Sequence, residues 1–248
     1  MLRSLLSATA LATCVALPAT ALDLGEMSDA ERTAFRAEIR AYLLDNPEVI
    51  YEAVAVLEER QAALQAANDE DIVARNAEAL FNDGHSWVGG NPDGDITVVE
   101  FLDYRCGYCR RAFPEVTELV ETDGNIRLII KEFPILGEGS MISSRFAIAT
   151  KNVAGDDAYK QVHDALIAFN GELSDVALNR LAASLGLDGE AIIAEMDSPA
   201  VDDVIAKNRA LGQALNISGT PSFVFGDQML RGYVPLDGMR EIAAEIRG

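Results

Sequence analysis

The sequence predicts an α/β fold in which a small sheet carries a helical insertion and follows an amino-terminal helical segment. Two β-branched, apolar runs at 96–102 and 126–133 flank a helical pattern, which predicts a strand–helix–strand unit with parallel strands and a right-handed crossover. Helical patterning then fills most of the stretch 139–216. The β pattern returns at 222–231 as a hairpin, and 235–247 is predicted to be a closing amphipathic helix.

Residues 1–21 are predicted to be a secretory signal peptide. A positive start precedes an apolar core at 5–17 that is too short to span a bilayer comfortably, and small residues precede the cleavage point. Cys14 lies within this core, so a lipoprotein signal is a weaker alternative. Removal of the signal would leave Cys106 and Cys109 as the only cysteines, in an oxidising compartment.

Residues 22–82 are predicted to form a helical oligomerisation segment. Ser28 and Glu31 have the spacing of a capping box, and Asn46 is predicted to cap a second helix that has Pro47 in its first turn. That helix carries a heptad seam, with spacings of four and three residues, formed by Ile50, Val54, Leu57, Gln61 and Leu64. Because the apolar stripe is narrow, it must be buried against the chain's own domain or against copies of the same chain, and the heptad spacing favours self-association.

A Cys-x-x-Cys pair, Cys106 and Cys109, lies where the first predicted strand passes into a helix. Backbone N–H groups at a helix N-terminus stabilise negative charge, so a thiol placed there loses its proton more readily, and the thiolate is the reactive form. A zinc site needs about four ligands, and neither His85 nor His163 makes a second ligand pair. A disulfide that closes so small a loop constrains the unfolded chain little. Redox chemistry is therefore favoured, with no metal and no cofactor expected.

The formal net charge is −20, with 40 acidic against 20 basic side chains, which argues against binding to nucleic acid or to an anionic membrane surface. The acids are spread along the chain and are expected to be solvated. Three arginines crowd the cysteine pair, namely Arg105, Arg110 and Arg111. Their positive field would favour a thiolate, unless their side chains simply point into water.

A second signal stands far along the chain, where Thr220-Pro221 precedes the late hairpin. A proline that enters a strand is confined to its start or to an edge strand. Together with the Cys-x-x-Cys pair after a strand and the helical insertion at about 138–216, this arrangement resembles the DsbA-like branch of the thioredoxin fold. The resemblance assigns 83–248 to a DsbA-like thioredoxin domain.

Further stretches support the resemblance. Those at 97–101 and 131–137 are similar to the DsbA-like branch. The stretch 42–49 resembles the N-terminal region of the suppressor-of-copper-sensitivity protein C family, which comprises bacterial periplasmic proteins with this domain order. The resemblance thus covers nearly all of the mature chain.

The resemblance also implies roles for individual residues. Pro221 is expected to be cis and to lie against the cysteine pair, and Thr220 to offer backbone groups to an extended client peptide. Tyr108, between the two cysteines, is expected to contribute to client binding. Glu100 could shuttle a proton to the resolving thiol with Lys131 as its partner, or it could be a strand carboxylate exposed at the sheet edge.

These residues predict a periplasmic thiol:disulfide interchange protein that acts on client proteins. Cys106 precedes the helix and is expected to attack, and Cys109 is expected to resolve the mixed disulfide. Self-association, for which the family suggests a trimer, and the Gly-Tyr dipeptide between the cysteines favour an isomerase or reductase that works with a membrane redox partner. A monomeric dithiol oxidase is the first alternative. A copper(I)-binding protein in copper tolerance is the second, because two thiolates suit that soft ion.

Overall fold

The structure is a computed structural model that describes residues 27–248. The predicted signal peptide lies outside these residues. The chain divides into two compact units, the first ending at Glu59 and the second comprising Arg60–Gly248. Among residues 27–248, no helix is both long and apolar enough to cross a membrane.

The first unit contains helix α1 (Asp29–Asp45) and the beginning of helix α2 (Glu48–Arg75). The predicted capping box is confirmed: Ser28 Oγ accepts from the Glu31 N–H at 3.3 Å, and the Ser28 N–H donates to the Glu31 carboxylate at 2.9 Å. Asn46 does not cap α2 as predicted. Its N–H donates to the Tyr42 carbonyl at 2.8 Å, which makes it the last residue of the turn that ends α1.

The second unit is built on a five-stranded sheet whose strands are β1 (Trp87–Gly90), β2 (Ile96–Leu102), β3 (Ile126–Glu132), β4 (Ser222–Phe225) and β5 (Gln228–Arg231). Their spatial order is β1-β3-β2-β4-β5. Strands β2 and β3 are parallel, and the other neighbours are antiparallel. The predicted strand–helix–strand unit and the late hairpin are therefore confirmed.

Eight further helices complete the second unit: α3 (Ala77–Phe81), α4 (Gly107–Asp123), α5 (Glu138–Ala154), α6 (Asp156–Ala168), α7 (Asp175–Ser184), α8 (Gly189–Glu195), α9 (Pro199–Ala214) and α10 (Leu236–Arg247). Side chains of Ser174 and Asp188 cap α7 and α8. Asp156 is the first residue of α6, and Gly155 occupies the cap position with a φ of 86° that a side chain would disfavour.

The sheet separates two apolar cores, and the alternation of side chains along β2 decides which residues face each one. Val98 and Leu102 join the core that contains residues of α4, α5, α6 and α10. Val99 and Phe101 join the other core, together with Val73 of α2, with Leu80 of α3 and with residues at the end of α9. Glu100, which lies between Val99 and Phe101 in the sequence, therefore faces the α4 side of the sheet.

Candidate active site

The first cysteine of the pair begins helix α4. Cys106 is its N-cap residue, with φ −74° and ψ 121°, and its N–H donates to the Asp103 carbonyl at 3.0 Å. Cys106 is 8% exposed, whereas Cys109, one turn into the helix, is 1% exposed. Both are free thiols. Of the two sulfur atoms, that of Cys106 is thus the better placed to meet a partner.

The Thr220–Pro221 peptide bond is cis, as the resemblance implied. The chain before β4 brings the Thr220 carbonyl to the Cys106 thiol, which donates a hydrogen bond to it at 3.1 Å. On the other side of the cis bond, the Pro221 carbonyl accepts from the Gly232 N–H at 3.0 Å. The cis-proline loop is therefore held between β5 and the cysteine pair, although 114 residues separate Cys106 from Thr220.

Burial raises the pKa of the second thiol, that of Cys109, and the pKa of the Glu100 carboxyl group. Removal from solvent raises the pKa of Cys109 far above its ordinary value, and the charge of Glu100 raises this pKa further. Glu100 is only 5% exposed, and burial raises its pKa to about 8. Of the two environments considered for Glu100, the buried one is observed.

Lys131 is not the partner of Glu100, and this part of the prediction is wrong. In the parallel register Glu100 lies opposite Ile130, and Lys131 lies opposite Phe101, so the two side chains project from opposite faces of the sheet. The buried Lys131 ammonium donates to the Ala79 carbonyl at 2.8 Å and to the Asp83 carboxylate. Residues that lie opposite each other on β2 and β3 differ by 30 in number and share a face of the sheet. Glu100 and Lys131 differ by 31, so they lie on opposite faces.

Asp103, which sequence reasoning did not single out, holds the active-site turn. It is fully buried, and its carboxylate accepts from the backbone N–H groups of Arg105 at 2.8 Å, Ile135 at 2.8 Å and Leu136 at 3.0 Å. These bonds tie the turn before Cys106 to the loop after β3. The available signal was an acid directly after an apolar strand and three residues before a reactive cysteine.

A second polar cluster lies in the α4-side core and was also missed. The Tyr104 and Tyr159 hydroxyls donate to Glu132 Oε1 at 2.7 and 2.6 Å. The Tyr104 oxygen in turn lies 3.0 Å from His163 Nδ1, which must donate because the tyrosine proton is already used. Burial raises the pKa of Glu132 to about 7 and lowers that of His163 to about 3. His163 is thus a neutral histidine that is packed in the core.

The three arginines around the cysteine pair have different environments. Arg110 is structural: its guanidinium donates to the Tyr104 carbonyl at 2.9 Å and to the Phe169 carbonyl at 2.7 Å. The Arg111 guanidinium lies over the ring of Tyr233. Arg105 is exposed. Within residues 27–248, no group of three or more His, Cys, Asp or Glu side chains is arranged to hold a metal ion.

A Cys-x-x-Cys pair at the start of a helix, beside a cis-proline that precedes an inner strand of a mixed sheet, defines a thioredoxin-fold protein of the dithiol type. The model of the DSBA-like thioredoxin domain matches residues 97–243, and that of the copper resistance protein ScsC N-terminal domain matches residues 31–63. The chain belongs to the family of DSBA-like thioredoxin domains.

Several solved structures and curated proteins are similar to this chain. A thioredoxin-like oxidoreductase from Silicibacter pomeroyi DSS-3 is 42% identical, with a TM-score of 0.63 over 68% of this chain and 96% of that one. Proteus mirabilis ScsC in a transitional conformation is 28% identical, with a TM-score of 0.63 over 88% and 98%. Among curated proteins, Na(+)/H(+) antiporter NhaA 3 of Salinispora tropica is 30% identical over 136 residues, which are 55% of this chain. The chain spans about a fifth (21%) of that antiporter's length.

Proposed function

We propose that the chain is a periplasmic thiol:disulfide interchange protein that acts on protein disulfides through Cys106 and Cys109, as an isomerase or reductase. The observation that carries this proposal is the contact between the Cys106 thiol and the Thr220 carbonyl at 3.1 Å, which unites the start of α4 with the cis-proline loop. The pattern of residues 1–21 and the periplasmic setting of the resembling family support the location.

The chemistry needs only the two thiols and the client. The Cys106 thiolate attacks one sulfur of a client disulfide, and the other client sulfur leaves as a thiolate and takes up a proton. Cys109 then loses its proton and attacks Cys106 Sγ, which releases the second client thiol. The client disulfide has gained two electrons, and a Cys106–Cys109 disulfide has formed. In isomerisation a client thiol attacks the mixed disulfide instead, so no electrons are exchanged overall.

Glu100 is the proposed proton acceptor for Cys109. Burial makes the Cys109 thiolate unfavourable, so its formation must coincide with its attack on Cys106. A carboxyl group with a pKa near 8 can exchange protons at neutral pH, where an ordinary glutamate would remain ionised. The two groups share one core, since Glu100 faces the α4 side of the sheet and Cys109 of α4 lies in the core on that side.

Client binding is assigned to the rim of the cysteine pair. The Thr220 backbone is proposed to pair with an extended client segment next to the attacking thiol. Tyr108, which is 61% exposed and lies between the cysteines, is proposed to contact the client as well. A membrane redox partner would then return the Cys106–Cys109 disulfide to the dithiol.

Self-association, with a trimer as the expected assembly, is proposed for the seam on α2. Its apolar members remain exposed in the single chain: Ile50 by 53%, Val54 by 45%, Leu57 by 54% and Leu64 by 73%. Residues 31–63, which match the ScsC N-terminal model, include most of this seam.

Val54→Glu and Leu57→Glu are expected to lower the solution mass to that of one chain, whereas Val56→Glu, off the seam, should leave it unchanged. A solution mass of one chain for the native protein would refute self-association through this seam.

Refolding of a scrambled multi-disulfide protein tests the activity. The native chain is expected to restore the folded substrate, and Cys106→Ser to abolish the recovery. The Leu57→Glu variant should lose isomerisation while it retains or gains simple dithiol oxidation. If the native chain oxidises dithiols but restores no scrambled substrate, the oxidase alternative is correct.

A further inference from the structure

An aromatic stack lies beside the active-site thiols. The ring centroids of Tyr108 and Tyr233 are 6.2 Å apart, with 30° between their planes. Tyr108 belongs to the first turn of α4, and Tyr233 follows β5. The Arg111 guanidinium carbon lies 4.5 Å from the centroid of the Tyr233 ring. Two aromatic rings and one cation, from two separate parts of the chain, thus meet next to Cys106.

The Tyr233 ring is held from several directions. Its hydroxyl donates to Glu115 Oε1 at 2.7 Å, and the other oxygen of Glu115 accepts from the Leu236 N–H at 2.9 Å. Its neighbour Gly232 donates to the carbonyl of Pro221 at 3.0 Å. Because its hydroxyl, its ring face and the adjacent backbone are all engaged, Tyr233 has little freedom to move.

Tyr108 contrasts with Tyr233 in its exposure. It is 61% exposed, and it is absent from both apolar cores. An exposed ring that is held against a fixed neighbour offers apolar contact area at a low cost in conformational entropy, since tyrosine has only two side-chain torsions. The Tyr108 ring, exposed next to the attacking thiol, is therefore better placed to contact a side chain of the client than to pack in the interior of this protein.

We propose that Tyr108 contacts an aromatic or large apolar side chain adjacent to the client cysteine, and that Tyr233 is the positioning residue for Tyr108. This inference rests on the proposed function and names its substrate class: cysteines flanked by aromatic or large apolar residues. An acidic flanking residue is the competing preference, because Arg105, which precedes Cys106 in the sequence, is exposed. The engagement of Arg111 with the Tyr233 ring favours the aromatic choice.

Three peptides of one length test the preference. Each carries a single cysteine joined by a disulfide to thionitrobenzoate, and the residue next to the cysteine is Trp, Ser or Asp. Attack by the reduced Cys106 on the peptide sulfur releases the coloured thionitrobenzoate anion. Cys109 then displaces the peptide thiol, so the mixed disulfide is reduced by two electrons and the Cys106–Cys109 disulfide forms. The colour gives the rate constant of the first step.

The Trp peptide is expected to react about two- to tenfold faster than the Ser peptide, which is the range of a single aromatic contact. Tyr108→Ala and Tyr233→Ala should bring this ratio close to one. Tyr233→Phe, which keeps the ring and loses the bond to Glu115, should retain part of the ratio. Val176→Ala, which alters an equally exposed apolar side chain on α7, should retain all of it.

The outcomes separate the two proposals. A ratio that survives both alanine variants, or an Asp peptide that reacts fastest, would overturn the aromatic contact while the exchange activity stands. A native protein that reduces none of the peptides, nor oxidised glutathione, would instead overturn the proposed function. Far-UV circular dichroism of each variant checks that the fold is intact, and the ratio of the two rates cancels any change in the reactivity of Cys106 that acts equally on both peptides.

Discussion

Two buried carboxyl groups on neighbouring strands show how differently the same residue type is used in this core. Glu100 on β2 and Glu132 on β3 are 5% and 3% exposed and project from the same face of the sheet. Glu132 accepts from two tyrosine hydroxyls, whereas burial is the sole cause of the raised pKa of Glu100. The hydrogen-bonded carboxyl group belongs to the architecture, and the one whose charge raises the pKa of Cys109 is the group proposed for the chemistry.

The largest expected difference between the two is in stability. Glu132→Leu leaves the Tyr104 and Tyr159 hydroxyls buried without their acceptor, so we expect a loss of about 3 kcal/mol in the free energy of unfolding. Glu100→Leu replaces a buried ionisable group by an apolar one of similar size and should cost less than about 1 kcal/mol, or stabilise the fold. Denaturant unfolding of both variants measures the contrast. Equal losses would show that Glu100 is as structural as Glu132.

The contrast reverses for the rate of the resolving step. Glu100→Gln removes the proposed proton acceptor, so the release of a client mixed disulfide by Cys109 should slow by about a hundredfold at neutral pH. Glu132→Gln leaves the thiols untouched and should change this rate by less than about threefold. Single-turnover decay of a preformed Cys106 mixed disulfide, followed by rapid acid quenching, measures the step directly. An unchanged decay in Glu100→Gln would remove Glu100 from the mechanism.

The pH dependence of stability separates the two groups again. Burial raises the pKa of both carboxyl groups above the ordinary value of 4.5, to about 8 for Glu100 and about 7 for Glu132. The folded state therefore binds more protons than the unfolded state above pH 4.5. The stability contributed by each group is complete below that pH and is lost as the pH rises through the folded value, with a slope of at most about 1.4 kcal/mol per pH unit.

Between pH 7 and 8 the contribution of Glu132 to this slope fades, whereas that of Glu100 continues. The native protein should continue to lose stability there, whereas Glu100→Gln should show a flatter curve over the same interval. Unfolding midpoints in urea across pH 5–9 provide the test. Parallel curves for the two proteins would contradict a raised pKa at Glu100.

Much of the architecture could be predicted because it depends on local patterns. The alternation and β-branching at 96–102 and 126–133 are typical of buried strands, and capping residues such as Ser174 predict where helices begin. The cis bond at Pro221 followed from the resemblance. Features that depend on strand register were harder to predict. The face on which Lys131 lies relative to Glu100 follows only when the register between β2 and β3 is known.

The polar contacts around the site could not be predicted for the same reason. Asp103 accepts from Ile135 and Leu136, which are more than 30 residues away in sequence, and Glu132 accepts from a tyrosine 27 residues away. No spacing rule connects these positions, because they meet only when β3 pairs with β2 and α6 packs against the sheet. A pattern of an acid in an apolar strand indicates burial, but it does not show whether the acid is satisfied, as the pair Glu100 and Glu132 demonstrates.

The smallest expected effects are changes in the free energy of unfolding when single hydrogen bonds around Glu132 are removed. Tyr159→Phe removes one donor and should cost about 1 kcal/mol, whereas Tyr104→Phe also leaves His163 Nδ1 without its acceptor and should cost about 2 kcal/mol. In a Glu132→Leu background the cost of Tyr159→Phe should vanish, because the hydroxyl then has no carboxyl group to lose. Denaturant unfolding of the single and double variants gives the coupling free energy. A cost of Tyr159→Phe that persists in the Glu132→Leu background would mean that the hydroxyl acts through some other group, and that Glu132 does not organise the cluster.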